Sequence, residues 1–464
     1  MKKFNYDVAI VGGGSGGYAA ARTAASAGLK TVVIEGGEEV GGLCILRGCM
    51  PTKALLYASE VLHHARSSGV LGLKIPGAGF DFPKVMARKN AMIREFADYR
   101  HGQLKNGKFK FIRAHARFTD PHTLALDTGR SLTAKSFVLS TGSRTAPSPL
   151  PALDKVGFLT SDDAVSLKRL PKSMIVLGGG AVAVEFAQFF RRLDVKVTLI
   201  QRSEHLVRDF DSDAADELAR VFRNEGVDVF CHTKLLDAKK VGSQKCISFQ
   251  HDGKTKNVQA EEILFALGRS PNTASLGLDQ AGVTTEYHRI VTNPQMQTTA
   301  PHIYAAGDCT GPYEIVHIAI QQGEVSAHNL AHPGRKKTID YRLLTSVVFT
   351  DPQLATVGLT EKEAGRKNIA YCCATYAFRD HGKSMLMISQ CGFVKLLADP
   401  KTGEILGAGC IGPMGGELIH EIVAAMHKRM TVHELAAMPH YHPTLAEIWT
   451  YPAEELAEKI SAAA

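Results

Sequence analysis

A chain of 464 residues, 45% of them apolar, is too long for a small binding module and requires two to four domains built around buried sheets. Its 54 basic and 46 acidic residues leave a dispersed net charge of +8 with no long basic run, which argues against a nucleic-acid arm. The nine cysteines are thinly spread without a secretory leader, as in a reducing cytoplasm, and the longest apolar stretches are short and glycine-rich, so no membrane span is expected.

The first predicted unit is YDVAIVGGGSGGYAAARTAASAGLKTVVIE, a β-branched strand, a glycine turn, an alanine-rich helix and a second strand. Gly12, Gly14 and Gly17 supply the tight turn, the close backbone approach to a pyrophosphate and the close helix packing, with the helix N-terminus facing the anion. Glu35 ends the second strand at the spacing of an acceptor for a ribose hydroxyl.

Next comes GGLCILRGCMPTK, in which Cys44 and Cys49 follow Gly41 and Gly42 near the start of an apolar helix. Three readings compete: a zinc site, an inert pair of thiols and a redox pair. Zinc needs two further ligands, and no second close Cys or His pair supplies them convincingly. A disulfide needs Cα atoms within about 7 Å, which an undisturbed helix does not allow at this spacing, so the helix must break; Gly48 and Pro51 permit that. A helix N-terminus, Arg47 and Lys53 would stabilise a thiolate there.

The segment KSMIVLGGGAVAVEFAQFFRRLDVKVTLIQ repeats the first unit, with Gly178 matching Gly12, Gly180 matching Gly14 and Ala183 standing where Gly17 was. Two such units imply two nucleotide sites. Gln201 replaces Glu35 and is followed by Arg202, with Arg208 six residues on; losing the acid and gaining arginines favours a 2′-phosphate, hence NADPH over a still possible NADH. Near the C-terminus, in PHYHPTLAEIW, His442 would by default be an ordinary surface or core histidine, but Pro443, which sets a helix start, and Glu447, which could accept from one imidazole nitrogen, open its reading as a base.

These segments, with VLSTGSRTAP, TSDDA, FALGRSPNT, IYAAGDCTG and VFTDPQLATVGLT in the same order, resemble the pyridine nucleotide-disulfide oxidoreductases over almost the whole chain. The resemblance implies an α/β fold with two Rossmann-like domains and a C-terminal α+β dimerisation domain. Its expected boundaries are 1–150 and 276–338 for the FAD domain, 151–275 for the NAD(P)H domain and 339–464 for the interface domain. It adds Gly42, Thr141, Gly142 and Asp308 to the FAD site, and Gly268 and Arg269 to the nicotinamide side. It makes Cys49 the thiol nearest the flavin, Cys44 the exchanging thiol, and Lys53 with Glu185 an ion pair near the flavin. It brings His442 to the disulfide of a partner subunit in a homodimer. No metal is implied, and the other seven cysteines read as structural or incidental.

The substrate is less determined. Leu46 and Arg47 alter the residues between the cysteines, Ala181 lacks the bulk that covers a nicotinamide pocket, and Glu324 replaces an arginine that binds glutathione. The sequence-based expectation is NADPH-dependent reduction of a small disulfide. Its first alternative is a dihydrolipoamide dehydrogenase using NAD, with a mercuric-reductase-like enzyme or a non-turnover flavin redox sensor behind it.

Overall fold

The computed structural model describes residues 3–463, which divide into two compact units. Of the described residues, the first contains 3–54, 83–147 and 268–340; the second contains 55–82, 148–267 and 341–463. The return to the first unit comes at Gly268, because the strand Arg269–Pro271 pairs antiparallel with Ser143–Thr145.

The first unit is built on a seven-stranded sheet. Its parallel part runs Lys110–Arg113, Thr31–Glu35, Tyr6–Val11, Ser131–Leu139, with Ile303–Ala305 also beside Ser131–Leu139. The near-continuous β-branched runs in these strands fit burial on both faces. Val8, Ala9, Ile10, Val32, Val33 and Ile34 are all buried. The helix Ser15–Ser26 packs on Val316–Ala331 at a glycine contact, where a Cβ on Gly323 would stand 2.2 Å from the Gly16 carbonyl oxygen.

The second unit holds a four-stranded parallel sheet in the order Asp228–Phe230, Lys196–Ile200, Ser173–Leu177, Glu262–Phe265. A three-stranded antiparallel sheet, Lys234–Val241 to Lys254–Ala260, accompanies it. Its remaining sheet has five antiparallel strands in the order Thr345–Val348, Gln353–Gly358, Ile405–Gly412, Phe393–Ala398, Cys372–Ala377. The helices Gly415–His427 and Thr450–Ala463 cover this last sheet around Phe378, Ile419, Ile422 and Trp449.

Within the second unit a buried ion cluster joins the helix Ala181–Arg192 to the loop before Gln353. Arg192 lies 2.7 Å from Glu225 and 2.8 Å from Asp351, while Gln188 exchanges two hydrogen bonds with the Asp351 backbone. Burial acts to raise the Asp351 pKa, but the His64 hydrogen bond and the Arg192 charge outweigh it and hold the carboxyl well below its usual range. A carboxyl so depressed contributes stability above its unfolded pKa of about 3.9 and loses it as pH falls further. Arg192→Met leaves two carboxylates without their cation, and is expected to destabilise the protein by about 3–5 kcal/mol in chemical denaturation at neutral pH.

Candidate functional site

The two glycine turns use one device. Gly12 has φ +106°, and a Cβ there would lie 2.1 Å from the Ser140 carbonyl oxygen; Gly178 has φ +118°, and its Cβ would lie 2.3 Å from that of Ala266. Each turn thus presses against the strand that pairs next to it, and only glycine fits. Gly14 and Gly180 then cap 12-residue helices with no side-chain cap, which leaves first-turn N–H groups free to receive an anion. The copies differ at the third position: a Cβ on Gly17 would collide with the Gly12 oxygen at 1.9 Å, whereas Ala183 is accommodated and fully buried.

At the first turn, Glu35 accepts from the N–H of Gly13 and of Gly37, both at 2.7 Å. A carboxylate has about four lone-pair sites, so acceptor capacity remains for a ribose hydroxyl. Across the turn, Thr141 Oγ1 is buried without a well-formed hydrogen bond, with the Cys309 thiol beside it. Gly142, at φ +69°, has open space where a Cβ would be. Asp308 is half-buried and accepts from Ser143 Oγ at 2.7 Å; Arg269 donates to that oxygen at 2.8 Å and to the Ser143 carbonyl at 2.9 Å. Ser143 thus links Arg269 to Asp308 in the first unit, which also takes in Gly268 with φ +114°. A glycine cradle, an acceptor carboxylate and an orphaned buried hydroxyl fit a bound dinucleotide such as FAD.

The cysteine segment is docked on this cradle. A Cβ on Gly42 would stand 2.7 Å from Gly14 Cα, so the short helix Gly42–Leu46 begins against the first turn. That helix ends at Arg47, and a new one, Cys49–Ser67, starts after Gly48. This is the break the spacing requires. Gly48 allows the close return, since a Cβ there would be 3.1 Å from the Leu43 oxygen and 3.4 Å from Cys44 Cα. Cys44 and Cys49 are half-buried free thiols in contact. The Cys49 thiol hydrogen-bonded to Cys44, and then burial, raise the Cys44 pKa above the ordinary thiol range, while the Lys53 charge lowers it. Arg47 is drawn to Glu39, at 3.6 Å.

In the second unit, Gln201 is buried and its Oε1 accepts from the Arg202 N–H at 3.0 Å. Arg202 and Arg208 are both exposed. Glu185 is 2% exposed and accepts from the Phe349 N–H at 2.9 Å, while the Lys53 charge acts to lower the Cys44 pKa without overcoming what raises it.

The base candidate is held from below. Ile448 and Trp449 are fully buried, and the indole N–H donates to the Leu418 carbonyl at 3.1 Å, which anchors the turn Ala446–Trp449. The turn presents Glu447, itself buried, to His442 Nδ1, with its oxygens at 3.0 and 3.1 Å. The His442 side chain is 76% exposed, so its other nitrogen faces outward. Two histidines escaped sequence reasoning. His440 lies 2.6 Å from Glu421, and His381 lies 3.4 Å from Glu447. Both partners are remote in sequence, and only the HYH spacing hinted at the first.

Among the described residues no helix is long and apolar enough to cross a membrane, and no group of three or more His, Cys, Asp or Glu is arranged to hold a metal ion.

Comparison with known proteins agrees with this architecture. The family model described as pyridine nucleotide-disulphide oxidoreductase matches residues 6–323, and the dimerisation-domain model of the same family matches residues 344–453. The chain is 35% identical over 461 residues to a dihydrolipoyl dehydrogenase of Thermus scotoductus, covering 97% of each. To that of Bacillus subtilis it is 34% identical over 462 residues, covering 95% of this chain and 96% of the relative. Among solved structures it is similar to LpdA of Mycobacterium tuberculosis, with a TM-score of 0.87 and 28% identity. It is also similar to RclA of Escherichia coli, an HOCl-induced flavoprotein disulfide reductase, with a TM-score of 0.86 and 26% identity. Each alignment covers 97% of this chain and 99% of the other. With both family models spanning most of its length and full-length relatives above 30% identity, the chain belongs to the pyridine nucleotide-disulphide oxidoreductases, flavoenzymes that act on sulfur groups with a pyridine nucleotide.

Proposed function

We propose that this protein is a dithiol–disulfide oxidoreductase of the dihydrolipoamide type, a homodimer that joins a Cys44–Cys49 disulfide to FAD and NAD(P). The observation that carries the reading is the contact between the two thiols on a segment docked against the first glycine turn. The dihydrolipoyl dehydrogenase relatives support lipoamide over the small-disulfide expectation.

FAD would be held by Gly12, Gly14, Gly17, Glu35, Gly42, Thr141, Gly142 and Asp308, with Arg269 behind Asp308 through Ser143. When bound, it carries two electrons between the disulfide and the nicotinamide. The chain's own groups handle the sulfur and the protons. A substrate thiolate attacks Cys44 Sγ, the Cys44–Cys49 bond breaks, and Cys49 leaves as a thiolate. The second substrate sulfur then closes the substrate disulfide and releases Cys44. His442 of the partner subunit accepts the substrate thiol proton on its outward nitrogen, while Glu447 stabilises the resulting imidazolium at Nδ1. Lys53 and Glu185 are the proposed pair near the flavin, and the exposed His442 suits a base that serves a second subunit.

A second reading, NADPH-driven reduction of another small disulfide, is favoured by one feature: Gln201, with exposed Arg202 and Arg208 nearby, offers no carboxylate to repel a 2′-phosphate. Glutathione fits poorly. Glu324 pairs with Arg22 at 2.7 Å, so this face presents a carboxylate of its own, not a free arginine.

The test is steady-state kinetics in both directions: dihydrolipoamide with NAD and with NADP, and lipoamide, glutathione disulfide and other small disulfides with NADH and with NADPH. The proposal predicts the highest kcat/KM for the lipoamide couple. Another disulfide turning over faster, with lipoamide inert, would favour the second reading. Gln201→Glu is expected to shift the kcat/KM ratio toward NADH by about tenfold, the equivalent of about 1.4 kcal/mol.

A further inference from the structure

His381 is a buried titratable group beside the proposed base's carboxylate that the chemistry above leaves unused. Its side chain has no solvent exposure, and Nδ1 lies 2.8 Å from Ser384 Oγ. With the serine hydroxyl donating to Nδ1, the ring proton resides on Nε2. That nitrogen is directed at Glu447, with Oε1 3.4 Å away, a long and weak approach with no better partner for the N–H. The same Oε1 lies 3.1 Å from His442 Nδ1. Glu447 therefore stands between two imidazoles, one sealed in the core and one facing outward.

The surroundings make a polar ring here unnecessary for packing. Phe378 and Tyr451 present near-perpendicular rings at 6.4 and 6.3 Å, and Tyr376 stacks on Tyr451 at 4.0 Å, so an apolar side chain would be at home. An imidazole that gives up water for one long N–H approach is poor packing but a sound way to restrain a carboxylate. Gly382, the next residue, begins the short helix Gly382–Met387, and a Cβ on it would meet His442 Cε1 at 4.0 Å. One chain segment thus touches both the base and its carboxylate.

We propose that His381 is a positioning residue for His442, acting through the Glu447 carboxylate they share. This rests on the reading of His442 as the base. The buried N–H limits rotation of Glu447, so both carboxylate oxygens stay on His442 Nδ1, and it shares Oε1 when His442 takes up a proton. Burial lowers the His381 pKa against the opposing pull of Glu447 and so favours the neutral ring. The titratable groups facing it are Glu447, His442 and Tyr451, and the Thr444 backbone also approaches the ring.

The test compares His381→Asn, which keeps a polar atom near Ser384 but withdraws the one at Nε2, with His381→Gln, which returns an amide N–H near that place. Flavin-loaded dimers are assayed with dihydrolipoamide across pH. The Asn variant is expected to lose about tenfold in kcat/KM. Its activity rise should also move to higher pH, because a carboxylate relieved of a donor holds the His442 proton more tightly. The Gln variant recovers most of the rate and the original profile, and His381→Asn causes no further loss in a His442→Gln background. A wild-type pH profile in the Asn variant, equal losses in Asn and Gln, or full additivity with His442→Gln would overturn the inference while leaving the base reading intact. Wild-type turnover in His442→Gln alone would instead remove the base reading on which it stands.

Discussion

Cys49→Ser reduces dihydrolipoamide oxidation by about 10⁴-fold or more, because the exchange chemistry needs both sulfurs and serine cannot complete the disulfide. Cys44→Ser does the same, since it removes the atom that the substrate thiolate attacks. The two half-reactions separate the effect from misfolding. Nicotinamide-dependent reduction of an artificial dye does not require the disulfide and should persist in both variants, whereas substrate turnover should not. The fold has little reason to fail: both thiols are half-buried, and serine preserves their size and can replace the contact between them. Serine substitution at Cys410, by contrast, places a hydroxyl in an apolar, buried position and should lower stability. At Cys309, burial pushes the thiol up to about 11, consistent with an inert group.

His442→Gln is expected to lower kcat for dithiol oxidation by about 10²- to 10⁴-fold, the range for loss of a positioned general base. Glu447→Gln should cost less, since the base remains and only its orientation and charge partner change. The contrast is measurable as pH dependence: wild type gains activity as its base loses a proton, and His442→Gln loses that limb, leaving only the rise due to thiolate formation in the substrate. Dye reduction should stay near wild type in both. Loss of dye reduction in the same proportion would place the damage at the flavin site.

The parts of the site legible in sequence were those whose chemistry is local. Gly12 and Gly178 each end a strand and must fold tightly against a neighbour, so the residue type announces the geometry. Cys44 and Cys49 are close in sequence, and the need to bring them together predicts the helix break found at Arg47 and Gly48. What the sequence hid depends on contacts between distant segments. The link from Arg269 through Ser143 to Asp308 is made by a strand pairing between Arg269–Pro271 and Ser143–Thr145, segments far apart in the chain. His381 looks like any loop histidine until the five-stranded sheet and the Trp449 turn bring it to Glu447. The substrate is the hardest part to read. Gln201 and Arg202 argue from one end for NADPH, while the relatives argue from the whole chain for lipoamide.

The most direct test of the central claim is differential alkylation of the nine cysteines in the flavin-loaded protein, read by peptide mass spectrometry before and after anaerobic reduction with one equivalent of dihydrolipoamide. The account predicts that Cys44 and Cys49 are linked in the oxidised protein and become alkylated together after reduction, with the other seven unchanged. Cys44 and Cys49 alkylated equally in both states, or a different pair responding, would contradict it.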